Sequence, residues 1–363
     1  MTLHTLQYQF IPRELLNHSS RPMSQEFGGV PIALPKSRNI YAVSVAVLLA
    51  FLLFYYYYGS LLTILLLFTI TSFGFYYLQD MLLYHPDLPA NSRIYVPIPK
   101  MHNLPHESVS IHTPDKVTLH AFWVSQPKER SKTVPTFVYF HGNAGNMGHR
   151  MQNIWGIFNH LHCNILMIDY RGYGFSTGVP SERGLSLDAR AVIDYLYTRN
   201  DLDHTKIVLF GRSLGGAVVI DVAADTVYSQ KIMCAIVENT FTSIPEMAVE
   251  LVHPSANLIP RCCFKNKYLS SWKIGKCSVP FLFISGLADN LVPPRMMRTL
   301  YMKCGSEQKR ILEFIGGAHN DTWIMDGYYQ GIHQFLVECQ SISTAPLEKP
   351  PEKSNVWHEI QDV

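Results

Sequence analysis

From residue 40 through residue 79 the chain carries no charged side chain, forty residues in a row. A run of about 18 apolar residues already suffices to span the hydrocarbon core of a bilayer. A segment of this length therefore has to find an apolar solvent before anything else about the fold is decided. Forty helical residues at ~1.5 Å rise would be ~60 Å long, about twice that core, so one span does not consume the segment. Two arrangements follow. In the first, residues 61–78 cross the membrane, Tyr55 to Tyr58 form an aromatic belt at the interface, and residues 40–54 lie along or partly within the bilayer. In the second, Gly59 and Ser60 turn a hairpin of two short spans. The single span near 58–78 is preferred, because a two-residue link leaves little backbone to reach the interface. A cleaved signal peptide fits poorly, since the apolar stretch starts near residue 40 and exceeds the usual signal core.

The flanking charges set the sidedness. Arg21, Lys36 and Arg38 precede the segment and Arg93 and Lys100 follow it, a small excess that keeps the N-terminal residues 1–39 in the cytosol. A single span then makes a type II protein whose C-terminal domain is lumenal or extracellular. A hairpin returns that domain to the cytosol. Asn17 and Asn320 begin glycosylation sequons, but Asn17 falls on the cytosolic side and Asn320 adjoins a residue assigned below to catalysis.

Beyond the membrane segment (40–80), residues 81–340 are enough for one core burying roughly 70 to 75% of the unfolded surface. Short β-rich runs at 117–124, 136–141, 164–169, 206–211, 234–238, 281–285 and 311–315 alternate with helical ones. Most are unbroken apolar runs, as strands covered on both faces by helices require, and the pattern predicts an α/β domain with a mostly parallel central sheet. Residues 240–280 are too irregular for a strand-helix unit and read as a short lid insertion. From 341 to 363 Pro, Glu, Lys and Ser dominate, and disorder is expected. Thirty Lys and Arg against 28 Asp and Glu leave a net charge of +2, too balanced for a nucleic-acid partner. Seven scattered cysteines without a Cys-x-x-Cys pair argue against a disulfide scaffold or a zinc module, so no metal or cofactor is expected.

The strongest chemical signal is Gly211-Arg212-Ser213-Leu214-Gly215-Gly216, which follows the apolar run 207–210 and precedes a helix of small residues. A strand, a tight turn and a helix in that order raise the serine hydroxyl above the sheet, with glycines where a Cβ would strike neighbouring backbone. A serine needs a base, and the base a carboxylate to orient it. Of sixteen histidines, His319 in Gly316-Gly317-Ala318-His319 is the best placed, in the loop after the last predicted strand. Asp289, just past the 281–285 run and between serine and histidine in chain order, fits the acid. Its plain alternative is capping the helix that starts near Pro293. Asp321 is read as a cap for the final helix, and Glu238 is a reserve acid. Two N–H donors for the oxyanion are expected from Leu214 and from Asn143, in the loop His141-Gly142-Asn143-Ala144-Gly145-Asn146. His141 reads as structural, and so does His160-x-His162-Cys163.

Residues 81–340, through the two glycine loops just quoted, Asp169-Tyr170-Arg171-Gly172-Tyr173-Gly174, Asp289 and His319-Asn320-Asp321-Thr322-Trp323, resemble the α/β-hydrolase superfamily and its membrane-anchored bud-emergence branch. The resemblance implies a signal-anchored, single-pass type II protein with Ser213, Asp289 and His319 as the triad, and structural roles for Asp169 and Arg171. Substrate class follows only from position: an enzyme fixed at a membrane suits an acyl ester or thioester on a lipid or lipidated protein. The lid residues Phe241, Ile244, Met247, Val252 and Leu258 either receive such a chain or pack the lid onto the core. Cys262, Cys263 and Cys277 suit bridging in a lumenal domain or acylation in a cytosolic one. No obligate protein partner is inferred. Two rival functions remain, a catalytically silent scaffold on the same fold and an acyltransferase on the same triad.

Overall fold

The computed structural model describes residues 37–251 and 254–343. The chain divides into two units, residues 1–73 and 74–363. Arg21, Lys36, Asn17, Val252 and the tail from 344 onward lie outside the described residues. Helix α1, Ser37–Leu83, holds the uncharged run and breaks at Gly59, whose φ of 78° and ψ of 172° are not helical. Glycine alone adopts such a backbone without steric cost. Within the first unit Val43, Leu49, Leu61, Ile64 and Phe68 are exposed. An apolar helix with so little of itself buried is a candidate membrane anchor.

In the second unit eight strands form one sheet: β1 His106–His112, β2 Thr118–Val124, β3 Thr136–Phe140, β4 Asn164–Ile168, β5 Ile207–Arg212, β6 Cys234–Glu238, β7 Phe281–Gly286 and β8 Lys309–Phe314. Their order is β1-β2-β4-β3-β5-β6-β7-β8. The pairings β1·β2 and β2·β4 are antiparallel and the remaining five are parallel. Every residue of β3 to β7 is buried. Side chains on a strand alternate between faces, and the core divides accordingly. Val138, Phe140 and Leu209 face one layer, packed by α3 Glu182–Thr198, α4 Leu214–Ala223 and α6 Pro294–Lys303. Phe137, Tyr139 and Phe210 face the other, packed by α2 Met151–Leu161 and α7 Tyr328–Ser343. The parallel strands are thus covered on both faces, which is why their sequences are continuously apolar.

Helix α3 begins where Ser181 Oγ accepts the Gly184 N–H at 3.1 Å. Helix α7 ends at Ser343, three residues past the boundary expected at 340. Between β6 and β7 lie α5, Ile244–Leu251, and short helical turns at Pro254–Leu258, Arg261–Cys263 and Ser270–Lys273. This excursion contributes Phe241, Met247, Tyr268 and Ile274 to the core.

Candidate active site

Strand β5 runs directly into α4, and the junction residue Ser213 has φ 55° and ψ −119°, a backbone region that costs a non-glycine residue free energy. Three hydrogen bonds hold it there. Its N–H donates to Glu238 O at 2.9 Å, and its carbonyl accepts Gly216 N–H at 2.9 Å and the Thr240 hydroxyl at 2.7 Å. The neighbouring glycines allow the turn to close. A Cβ on Gly211 would stand 2.2 Å from Gly215 O, and one on Gly215 would stand 2.0 Å from Phe140 O. Both obstacles are backbone, so no side chain can rotate away.

Asp289 follows β7 and divides its carboxylate between two tasks. Oδ1 accepts the N–H groups of Leu291 at 2.8 Å and Val292 at 2.9 Å, which fixes the turn before α6. Oδ2 meets His319 Nδ1 at 2.7 Å. The helix cap set out above as the alternative is absent, since α6 has Pro293 at its N-cap and no side-chain cap; Asp289 instead ties the turn that precedes it. The Asp289 side chain is 1% exposed and that of His319 11%. Among the described residues the Ser213 hydroxyl makes no hydrogen bond to the imidazole; such bonds commonly tighten only once substrate is held.

The loop expected to hold the oxyanion follows β3. Gly142 faces Ser213, its Cβ position 3.6 Å from Ser213 Cβ. Among the described residues neither Asn143 N–H nor Leu214 N–H donates a hydrogen bond, so both donors are free. The rest of Asn143 is engaged. Its carbonyl accepts His85 N–H at 2.9 Å and the Tyr173 hydroxyl at 2.8 Å, and its Nδ2 donates to Leu83 O at 3.1 Å. Gly145 N–H donates to His85 O at 3.2 Å, completing a parallel bridge that stitches the residues after α1 to this loop.

Several side roles differ from expectation. Asp321 does not cap the final helix; seven residues before α7 begins, its Oδ1 turns back to accept Ala318 N–H at 2.8 Å. Glu238 makes no bond to His319. Its Oε2 accepts the Tyr328 hydroxyl at 2.6 Å, and complete burial pushes its carboxyl above the ordinary range. His141 is buried with Nδ1 at 2.7 Å from Gly142 O, and burial lowers its pKa to about 3, so it is neutral. Asp169 Oδ1 accepts Met147 N–H at 2.7 Å, and Arg171 joins Asp188 and Asp115. His160 stacks on Tyr329, His162 ends α2 in a left-handed conformation, and Cys163 is buried. All seven cysteines are free thiols, with Cys262 and Cys263 exposed and Cys277 buried. Of the lid residues, Phe241 and Met247 are buried and Ile244 packs on the core, while Leu258 is 83% exposed.

Sequence reasoning passed over two residues. Asn239, directly after β6 with φ 46°, donates through Nδ2 to Ala318 O at 3.2 Å, His319 O at 3.1 Å and Thr322 Oγ1 at 2.9 Å. Its Oδ1 accepts Gly286 N–H at 2.8 Å. Arg212 Nη1 donates to Asn320 O at 3.1 Å from a buried side chain. Together they clamp the histidine loop to the ends of β5, β6 and β7. The available signal was an asparagine at a strand end, since this residue tolerates the left-handed region.

A family model described as the alpha/beta hydrolase fold matches residues 135–261. Protein bem46 of Schizosaccharomyces pombe is 41% identical over 272 residues, covering 74% of this chain and 90% of its own length. An uncharacterized membrane protein of Saccharomyces cerevisiae is 37% identical over 274 residues, covering 74% and 93%. Among solved structures, the Pyrococcus furiosus esterase Pf2001 superposes with a TM-score of 0.57 at 19% identity, covering 70% of this chain and 97% of that one. With the sheet order, the elbow and these relatives together, the chain belongs to the α/β-hydrolase family, in its bud-emergence group.

Proposed function

We propose that this chain is a membrane-anchored serine hydrolase that cleaves a carboxylic ester or thioester through an acyl-enzyme. His319 Nε2 takes the Ser213 proton as Oγ attacks the carbonyl, and returns it to the leaving alcohol or thiol. Asp289 Oδ2 keeps the remaining proton on Nδ1 and stabilises the imidazolium. The N–H groups of Leu214 and Asn143 receive the oxyanion, a donor pair whose members are each worth ~2.7 to 4 kcal/mol of transition-state stabilisation. Water then repeats the sequence on the acyl-serine. No cofactor enters these steps. The observation that carries the reading is the 2.7 Å Asp289–His319 bond, taken with an elbow serine held at positive φ.

The acyl group of a lipid or lipidated protein is the proposed substrate. In support, Leu83, the last residue of α1, and His85 just after it bond directly to Asn143. A single-pass type II topology with a lumenal or extracellular catalytic domain follows from the flanking charges. One observation favours the hairpin instead. The Gly59 break leaves helical halves of 22 and 24 residues, ~33 and ~36 Å, each long enough to cross. Labelling Cys262 and Cys263 with a membrane-impermeant maleimide in sealed cells or microsomes distinguishes the two.

The activity test is covalent labelling of the full chain by a fluorophosphonate. Labelling of the native protein, lost in both Ser213→Ala and His319→Ala, is the expected result. A folded native chain that takes no label would transfer the reading to a scaffold. Product diverted from free acid when an alcohol is added would transfer it to an acyltransferase.

A further inference from the structure

Between residues 251 and 288 the sequence contains no Asp or Glu and five Lys or Arg: Arg261, Lys265, Lys267, Lys273 and Lys276. Two of these are occupied. Lys265 pairs with Asp80, and Lys273 meets Asp221 at 2.7 Å and Glu182 at 3.8 Å. Arg261, Lys267 and Lys276 form no ion pair among the described residues. The same segment has two sides. Phe264, Tyr268 and Ile274 are buried against the domain, whereas Leu258 is 83% and Trp272 60% exposed, with the Arg261 guanidinium 5.1 Å above the Trp272 ring. Cys262 and Cys263 are exposed beside them.

This outer side is fastened to the last turns of α1. The Gln79 side-chain amide donates to Cys263 O at 3.0 Å and accepts Lys265 N–H at 2.9 Å. Asp80 accepts from Asn266 Nδ2 at 2.6 Å, and the Tyr84 hydroxyl reaches both Asn266 and Tyr268. Lys265 Nζ lies 5.1 and 5.4 Å from the rings of Tyr76 and Tyr77. Tyrosine rings under a lysine at the end of an apolar helix are the composition of a membrane-water boundary. The segment bonded to them sits at the same level.

We infer that the outer face of residues 257–276 is a second membrane contact, docking on the anionic headgroup region of the bilayer that holds α1. The inference rests on the reading of α1 as an anchor. Its occupant is lipid because the face is continuous with the anchor's end and its uncompensated charge is wholly positive, while Leu258 and Trp272 supply the apolar and aromatic groups that enter such an interface. Because Thr240 to Ser243 lead from the end of β6 toward this segment, and the Thr240 hydroxyl bonds Ser213 O, docking would hold the catalytic edge close to the bilayer surface.

The exposed thiols provide the probe. The full chain, reconstituted in phosphatidylcholine vesicles with or without phosphatidylserine, is labelled with an environment-sensitive nitrobenzoxadiazole at Cys262 and Cys263, the other five thiols being buried. A reference chain carries Cys262→Ser, Cys263→Ser and Val227→Cys, the last at an exposed site beyond the far end of α4. The expected result is blue-shifted emission quenched by nitroxide lipids at 262 and 263 in phosphatidylserine vesicles, with water-like emission at 227. Charge reversal at Arg261, Lys267 and Lys276 to Glu abolishes the shift, and an unchanged thermal melt shows that variant to be folded. Water-like emission at 262 and 263, quenched by iodide and not by nitroxide lipid, would overturn docking. Release of the whole chain by alkaline wash would overturn the anchor instead, so the two failures are separable.

Discussion

Asp289→Asn separates the two tasks that one carboxylate performs. The carbonyl oxygen of Asn can keep the bonds from Leu291 and Val292 N–H, now neutral where they were charge-assisted, a loss of ~1–2 kcal/mol in stability. The other atom becomes an NH2 group facing His319 Nδ1 across the former 2.7 Å bond. A donor there compels Nδ1 to accept, which puts the imidazole proton on Nε2, the atom that must take the proton of Ser213. A wrong tautomer of this kind reduces kcat by about 10⁴, or ~5.5 kcal/mol of barrier. Asp289→Ala removes both tasks and leaves two N–H groups unbonded, at ~1–3 kcal/mol for each that stays buried. Turnover of a p-nitrophenyl ester and urea unfolding, run on both variants, give the comparison. The reasoning fails if Asp289→Asn keeps more than about a tenth of native kcat. It fails equally if the Ala variant is as stable as the Asn variant.

Other substitutions probe the supports. Gly215→Ala drives a Cβ to 2.0 Å from Phe140 O, so the elbow has to reopen; a loss above ~4 kcal/mol, or no folded protein, is expected in a thermal melt. Asn239→Ala leaves Gly286 N–H without its acceptor and releases the histidine loop, costing ~2–4 kcal/mol in urea unfolding, with kcat falling more than KM rises. Glu238→Gln tests the raised carboxyl. Since its folded pKa lies above the unfolded value of ~4.3, ionisation favours the unfolded chain as pH rises past that value. The Gln variant should match the native protein near pH 4 and gain relative stability toward pH 8; a difference that shrinks over that range contradicts the assignment.

What the sequence disclosed depended on whether one residue's neighbours in the chain were also its partners in space. Strands β3 to β7 are buried on both faces, so their identity is written in unbroken apolar runs. Strand β1 is an antiparallel edge strand in which only Val109 and Ile111 are buried, and His106-Glu107-Ser108 disguises it as a loop. The elbow was legible because its strand, serine turn and helix follow one another in the chain and Gly211 meets the backbone of Gly215 only four residues on. The pairing of Asp289 with His319 was suggested by chain order and strand ends, and the two side chains do meet. Asn239 was not, because its four partners are 47 to 83 residues away and no local pattern requires them. Asp321 was misassigned for the reverse reason: a capping residue was sought for α7, while its carboxylate accepts the Ala318 N–H three residues back.

The tripeptide that leaves β6 joins all of these parts. Glu238 O holds Ser213 N–H, Thr240 Oγ1 holds Ser213 O, and Asn239 between them holds the carbonyls of Ala318 and His319. The proposed nucleophile and base therefore take their positions from adjacent residues of one strand end, so an error in that backbone moves both together and preserves their relation better than two separate supports would. The next residues, Phe241 to Ser243, are buried and begin the cap, and Thr242 O accepts Ser271 N–H at 2.9 Å, one residue before the exposed Trp272. A single hydrogen-bonded path thus runs from the strained serine to the surface assigned to the bilayer. Strain at Ser213 is sustained by its three restraining bonds, to Glu238, Thr240 and the first turn of α4, of which the Thr240 bond lies at the start of that path. Loosening the cap should therefore relax the serine backbone before it disturbs the sheet, whose pairing of β5 with β6 extends from Val208 to Arg212 without reliance on the cap.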